Sequence, residues 1–261
     1  MAEHDRPSGG ARAQALLALG AALVGALVYA CSFGVHSDAL ILGNDVVHYA
    51  LALAEPQGDA PTPANHLAYH WLCRGSYAAL CALGGEPGAW LALRAQQLVS
   101  AAAGALALYV VARFALRRAG ARVGLPLALA LGASSGTWIY AAVGDSVVPA
   151  LAAMAGAWCA ALEHARAPSG RPWALLAWLV AALVLRQDAL LAVPALLVLL
   201  SWRSGAWLLA CAGAATLAVY ALGWWLAPAG QPFARWLLGV GASGSWNGRL
   251  EGGQALVRVL R

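Results

Sequence analysis

The chain predicts an all-α, polytopic bundle of transmembrane helices with short helices in an outward loop after the first span. Three observations carry this. Of 261 residues, 62% are hydrophobic and 10% charged, and the mean hydropathy is +0.69, a balance that would leave a water-soluble domain covered in apolar surface. The apolar residues fall in runs long enough to cross a bilayer. All the basic residues are arginines, and they cluster between the runs in a way that sets a topology.

The first run, 13–34, reaches about 33 Å as a helix, enough for a hydrocarbon core of about 30 Å. It is too long for a signal peptide and lacks a small-residue cleavage site, so it reads as an uncleaved span. Residues 1–12 precede it as a cytoplasmic segment. Further spans are expected at 89–112, 123–143, 147–162 and 206–227, so that 13–227 forms the membrane bundle and 228–261 a polar tail containing Gly and Arg. Alanine and glycine abound in the spans because small residues let helices approach closely in lipid. Many of the twelve tryptophans stand near span ends, as in an interfacial belt.

Arg113, Arg117, Arg118 and Arg122 give the strongest positive-inside signal, and Arg6, Arg12, Arg166, Arg171 and Arg203 can share that side. The amino terminus is then cytoplasmic and the loop 35–88 faces outward, as does the turn 143–146. The net charge of +5 reflects topology and does not point to nucleic acid.

The run 173–200 is open to two readings, because Arg186-Gln187-Asp188 interrupts its middle. One long helix would bury both charges near the bilayer centre at a cost of several kcal/mol. A hairpin of two arms, each about 20 Å long, would lift them toward the outer face and is the favoured reading. It leaves Arg235, Arg249, Arg258 and Arg261 on the outer side.

Ionisable groups at a membrane edge are expensive and mark function. Asp45 and His48 lie in Gly43-Asn44-Asp45-Val46-Val47-His48-Tyr49, and Asn65, His66 and His70 follow in Asn65-His66-Leu67-Ala68-Tyr69-His70. Asp145 stands at the next outward turn. Each also has a plain structural role open to it: Asp45 in a Gly-Asn-Asp turn, Asp145 as the cap of a helix beginning at Ser146, and Arg186 with Asp188 as a pair within the bundle. His66 and His70, four apart, share one helical face. Leu67 replaces the glutamate of a His-Glu-x-x-His zinc site, which argues against a metalloprotease. Cys73 and Cys81 can form a disulfide only if their helix breaks. No Gly-rich phosphate loop or dinucleotide fingerprint occurs, so no nucleotide cofactor is expected.

The succession Asp45, Asn65-His66, Asp145 and Arg186 resembles the GT-C class of polyprenyl-phosphate-sugar-dependent membrane glycosyltransferases, such as the protein O-mannosyltransferases and the lipid A aminoarabinose transferases. That class places an Asp on the first outward loop, a polar motif leading into the next helix, a second Asp at a later outward turn, and a basic residue in a short apolar hairpin. The resemblance covers roughly residues 13–200. It implies transfer of a sugar from a polyprenyl phosphate in the membrane lipid to a glycan, lipid or protein acceptor at the outer face of a bacterial inner membrane. Asp45 and Asp145 would be catalytic, and His48, Asn65, His66, His70, Arg186 and Asp188 would bind substrate. A divalent metal requirement is left open. Members usually continue with more spans, so the resemblance implies a shortened relative. A small-solute transporter subunit and a non-catalytic membrane scaffold are the competing readings.

Overall fold

A computed structural model describes residues 8–33, 44–54, 66–168, 171–226 and 232–237, and the described residues are helical, with no strand among them. The long helices are α1 (Ser8–Cys31), α4 (Ala89–Ala119), α7 (Val147–Arg166) and α10 (Trp202–Leu226). Two shorter ones, α5 (Ala121–Ala133) and α6 (Ser135–Val143), follow α4. The loop after α1 contains α2 (Asn44–Ala54) and α3 (Leu67–Ala82). The remaining elements are α8 (Trp173–Leu185), a 3-10 helix (Gln187–Ala192), α9 (Val193–Val198) and α11 (Phe233–Leu237). Four helices are long and apolar enough to cross a membrane, or five when α5 and α6 count as one bent span. Leucines on their outer faces are widely exposed, Leu16, Leu23 and Leu27 each above 60%. Such surface is stable in lipid and not in water, so the chain is a multi-pass membrane protein.

Small residues set the contacts. The helices α1 and α4 cross where Gly25 faces Leu108 and Gly104 faces Tyr29, positions at which a Cβ would collide. Ala18 meets Ala112 and Leu116 nearer their other ends, so the two run antiparallel. Ser100 bonds to Asp145 and Arg117 to Glu163, which makes α4 and α7 parallel. Where one straight span is expected over 123–143, the chain instead bends by 54° between α5 and α6. Ser134 is extended there and its hydroxyl accepts from the Thr137 N–H as a helix cap. The Gly132 carbonyl, which would have bonded within a continuous helix, accepts from the Tyr29 hydroxyl at 3.0 Å. A backbone group freed inside a membrane needs such a partner.

The run 173–200 is a hairpin. Trp173 stacks edge-on with Trp207, their centroids 5.0 Å apart, and the Tyr220 hydroxyl donates to the Leu183 carbonyl at 2.9 Å. Two contacts in the same chain order mean that α8 and α10 are parallel, which requires residues 186–201 to return the chain to the end from which α8 started. With the 3-10 helix rising about 2 Å per residue and α9 about 1.5 Å, the returning arm spans roughly 21 Å, matching the roughly 20 Å of α8.

These directions sort the arginines. Arg12, Arg113, Arg117, Arg118, Arg122, Arg166, Arg171 and Arg203 gather at one end of the bundle, where Glu163 is the one acidic side chain among the described residues. At the opposite end stand the loop helices α2 and α3, the α6–α7 turn, the hairpin tip and α11. Cys73 and Cys81 both lie in the unbroken helix α3, and both are free.

Candidate functional site

The site starts from the turn between α6 and α7. Gly144 adopts φ +94 with its α-carbon pressed against the backbone of Gln96 and Gln97, a conformation and a space that suit glycine. Two hydroxyls clamp the turn from neighbouring helices. Tyr69 on α3 donates to the Gly144 carbonyl at 2.5 Å, and Ser100 on α4 donates to the Asp145 carbonyl at 2.8 Å. The Asp145 carboxylate accepts from the Val147 N–H at 3.0 Å and from the Ser146 hydroxyl at 3.1 Å. The helix begins at Val147 with Ser146 at its N-cap, so Asp145 stands one residue before the cap and its carboxylate accepts the first helical N–H.

The hairpin tip delivers the cation. Beyond α8, Arg186 is extended and Asp188 lies in the first turn of the 3-10 helix. Arg186 Nε and Nη2 grip the Asp188 carboxylate in a fork, at 3.0 Å and 2.9 Å to the nearest oxygens. Its Nη1 donates to Ser146 Oγ at 3.3 Å and lies 3.9 Å from Asp145 Oδ1. These hydrogen bonds to Asp188 hold the guanidinium above its usual range. The same bonds hold Asp188 below the ordinary carboxylate range, against the opposing effect of burial. Two carboxylates thus surround one guanidinium, whose Nη1 edge is turned away from Asp188.

His66 is buried at the start of α3, its Nδ1 bonded to Ser146 Oγ at 3.2 Å. His70, one turn later, meets the Tyr49 ring edge-on with centroids 4.5 Å apart. It is 5% exposed, and its Nε2 has no hydrogen-bond partner. Burial, reinforced by the charges of His66 and Arg74, pulls it down to about 3, so it is a neutral imidazole at physiological pH.

Asp145, His66, Arg186 and Asp188 are therefore brought together, with His70 beside them across Tyr49. Asn65 lies outside the described residues, as do the side chains of Asp45 and His48. Their helix is nevertheless placed: Val46 packs on Val143, one residue before the Gly144 turn. The buried Gln96 amide, turned to satisfy both partners, donates to the Val46 carbonyl and accepts from the Ala50 N–H. The first turn of α2, which carries Asp45, thus packs beside the end of α6 that leads into the Gly144 turn. Sequence reasoning missed Ser146, Tyr49, Tyr69 and Ser100. Ser146 was readable as the neighbour of Asp145 and Tyr49 as lying four residues beyond Asp45 on a helix; Tyr69 and Ser100 carried no local signal. Among the described residues no three His, Cys, Asp or Glu side chains converge as metal ligands would. Comparison with protein-family models, curated proteins and solved structures finds no match to the chain.

Proposed function

We propose that the chain is an integral-membrane glycosyltransferase that moves a sugar from a polyprenyl phosphate to an acceptor hydroxyl at the end of the bundle opposite the arginine cluster. The observation that carries this reading is the meeting of Asp145 and Arg186, 41 positions apart in sequence, within 3.9 Å at the end where helix α2 begins. An anionic leaving group and a hydroxyl nucleophile need a cation and a base held around one reacting carbon.

In the proposed reaction the acceptor oxygen forms the new bond to the anomeric carbon as the bond from that carbon to the phosphate oxygen breaks. The electron pair leaves with the polyprenyl phosphate. Asp45 takes the hydroxyl proton. Arg186 offers its Nη1 edge to the phosphate, its planar fork suiting phosphate oxygens, while Asp145 and Ser146 hold that edge in place. His66 orients Ser146, and His70, buried behind it, supports the Tyr49 ring at the edge of the proposed binding set. Asn65, His48 and Asp188 complete the proposed binding set. With the arginine-rich end cytoplasmic, as the positive-inside rule directs, the site opens on the outer face of a bacterial inner membrane.

The test gives membranes containing the protein a labelled lipid-phosphate sugar and an acceptor. Asp45→Asn keeps the shape and removes the base, so transfer should fall about 10²-fold or more while donor binding survives; Arg186→Ala should weaken donor binding itself. Undiminished transfer by Asp45→Asn would refute the assignment. A transporter is the second reading, favoured by the 54° bend between α5 and α6, since broken helices line many solute paths. Uptake of a solute by vesicles showing no sugar transfer would favour it.

A further inference from the structure

The arginine-rich end holds a second constellation, unconnected with the proposed reaction. Because α8 and α10 run side by side from that end, Trp173 and Trp207 meet edge-on. The Arg171 guanidinium lies 5.7 Å from the centroid of the Trp207 ring, and that of Arg203 lies 5.5 Å from the Trp202 ring. Arg203 stands four residues before Trp207 on α10, and Arg171 lies against Trp207, so both arginines stand at the starts of these two neighbouring helices. Trp173 is 61% and Trp202 77% exposed. Arg171 and Arg203 are exposed as well, and neither forms an ion pair with any described residue.

The chemistry of this arrangement is selective. A guanidinium held near an indole by cation–π attraction keeps its N–H donors available for a further partner. Those donors match phosphate oxygens. Indoles are themselves most stable at the level of lipid headgroups, with the ring against the acyl boundary. Had the patch been a structural ion-pair cluster, carboxylates would accompany it; the acidic side chain described at this end, Glu163, is already taken by Arg117 at 2.7 Å.

We propose that Arg171 and Arg203, with Trp173, Trp202 and Trp207, form a binding site for the headgroup of an anionic glycerophospholipid in the adjoining leaflet. Charge complementarity selects this occupant, and the exposed indoles at the ends of two apolar helices require it to bring acyl chains.

The full chain, purified in a zwitterionic detergent, would be titrated with phosphatidylglycerol or with phosphatidylcholine of the same acyl chains, and bound lipid counted by native mass spectrometry. Phosphatidylglycerol should bind about 10-fold more tightly, the order of preference that two surface guanidiniums supply. Arg171→Gln with Arg203→Gln should bring the two lipids to within about 2-fold. Arg113→Gln with Arg118→Gln, which removes the same charge from the same end, should leave the preference intact. On the unaltered chain, raising salt from about 50 to about 500 mM should erode the preference for phosphatidylglycerol, whatever the variants do. Retention of the preference in the first variant, equal loss in the second, or indifference to salt would each overturn the proposal. So would displacement of the lipid by millimolar inorganic phosphate or by an RNA oligonucleotide, either of which would show that acyl chains contribute nothing.

Discussion

Replacing Gly144 by alanine tests the link between the fold and the candidate site, and the structure supplies its own control. Gly144 and Gly84 have nearly the same backbone, φ +94 and φ +93, yet a Cβ on Gly84 meets nothing within 4 Å, whereas one on Gly144 would stand 3.0 Å from the Gln97 nitrogen and 3.1 Å from the Gln96 carbonyl carbon. Both alanines lose about 1–2 kcal/mol to the left-handed conformation. Gly144→Ala alone adds a collision with backbone, which cannot rotate away as a side chain would, and overpacking of this kind costs about 1–3 kcal/mol. At roughly 2–4 °C per kcal/mol for a chain of this size, Gly144→Ala should melt roughly 2–12 °C below Gly84→Ala. Thermal unfolding of both variants in one detergent measures the difference. The same displacement disturbs the contact of Asp145 with Arg186, so on the proposed function Gly144→Ala should also weaken donor binding. Equal melting temperatures would refute the argument that close approach to α4 fixes the turn.

Two further outcomes follow from the fold and from His70. In a chain whose native cysteines are replaced, an impermeant thiol reagent applied to intact cells should label Asp59→Cys and spare Arg118→Cys; the reverse pattern would invert the topology and move the proposed site to the cytoplasmic face. His70 is held neutral in the fold at about 3 against an ordinary 6.5, so below pH 6.5 the unfolded chain binds a proton that the folded chain refuses. Its contribution is complete above pH 6.5 and is lost as pH falls toward 3, at up to about 1.4 kcal/mol per unit. His70→Phe should therefore flatten the stability profile between pH 6 and 4 by about 2 kcal/mol, and parallel profiles for the two proteins would show that His70 is protonated in the fold.

The spans were legible because hydropathy is a composition signal and lipid enforces it over about 20 consecutive residues. What hydropathy does not carry is where a helix stops once it leaves the lipid, and α4 and α7 run on to Ala119 and Arg166, beyond the ends their apolar runs suggest. It was equally blind to the bend at Ser134. The run 123–143 is apolar apart from Ser134-Ser135-Gly136-Thr137, too short an interruption to end a span by hydropathy, and the carbonyl freed at Gly132 is satisfied by Tyr29, 103 positions earlier; no local pattern encodes that partner. The hairpin was half legible, since Arg186-Gln187-Asp188 announced a conflict in the run without deciding it. The decision came from α10, whose direction beside α8 requires the chain to return.

The candidate site divides along the same line. Charged residues in a chain with so few of them stand out, which is why Asp145, Arg186 and Asp188 could be named in advance. Tyr69 and Ser100 could not, because each acts on a backbone carbonyl 75 or 45 positions away. Depth explains why the charges come as a compensated group. Tyr220 is level with Leu183, and α10 continues six residues past it to Leu226, about 9 Å further along the axis. The hairpin tip is therefore recessed below the end of α10. Across that recess lies α11, with Trp236 buried against Leu67, Val184 and Tyr220 and the Leu237 carbonyl accepting from the Gln187 amide at 3.2 Å. A lone guanidinium in such a recess would carry a desolvation cost that surface arginines escape. Asp188 and Asp145 offset it from two sides, Asp188 through a fork of hydrogen bonds although its side chain is 58% exposed, and Asp145 from 3.9 Å.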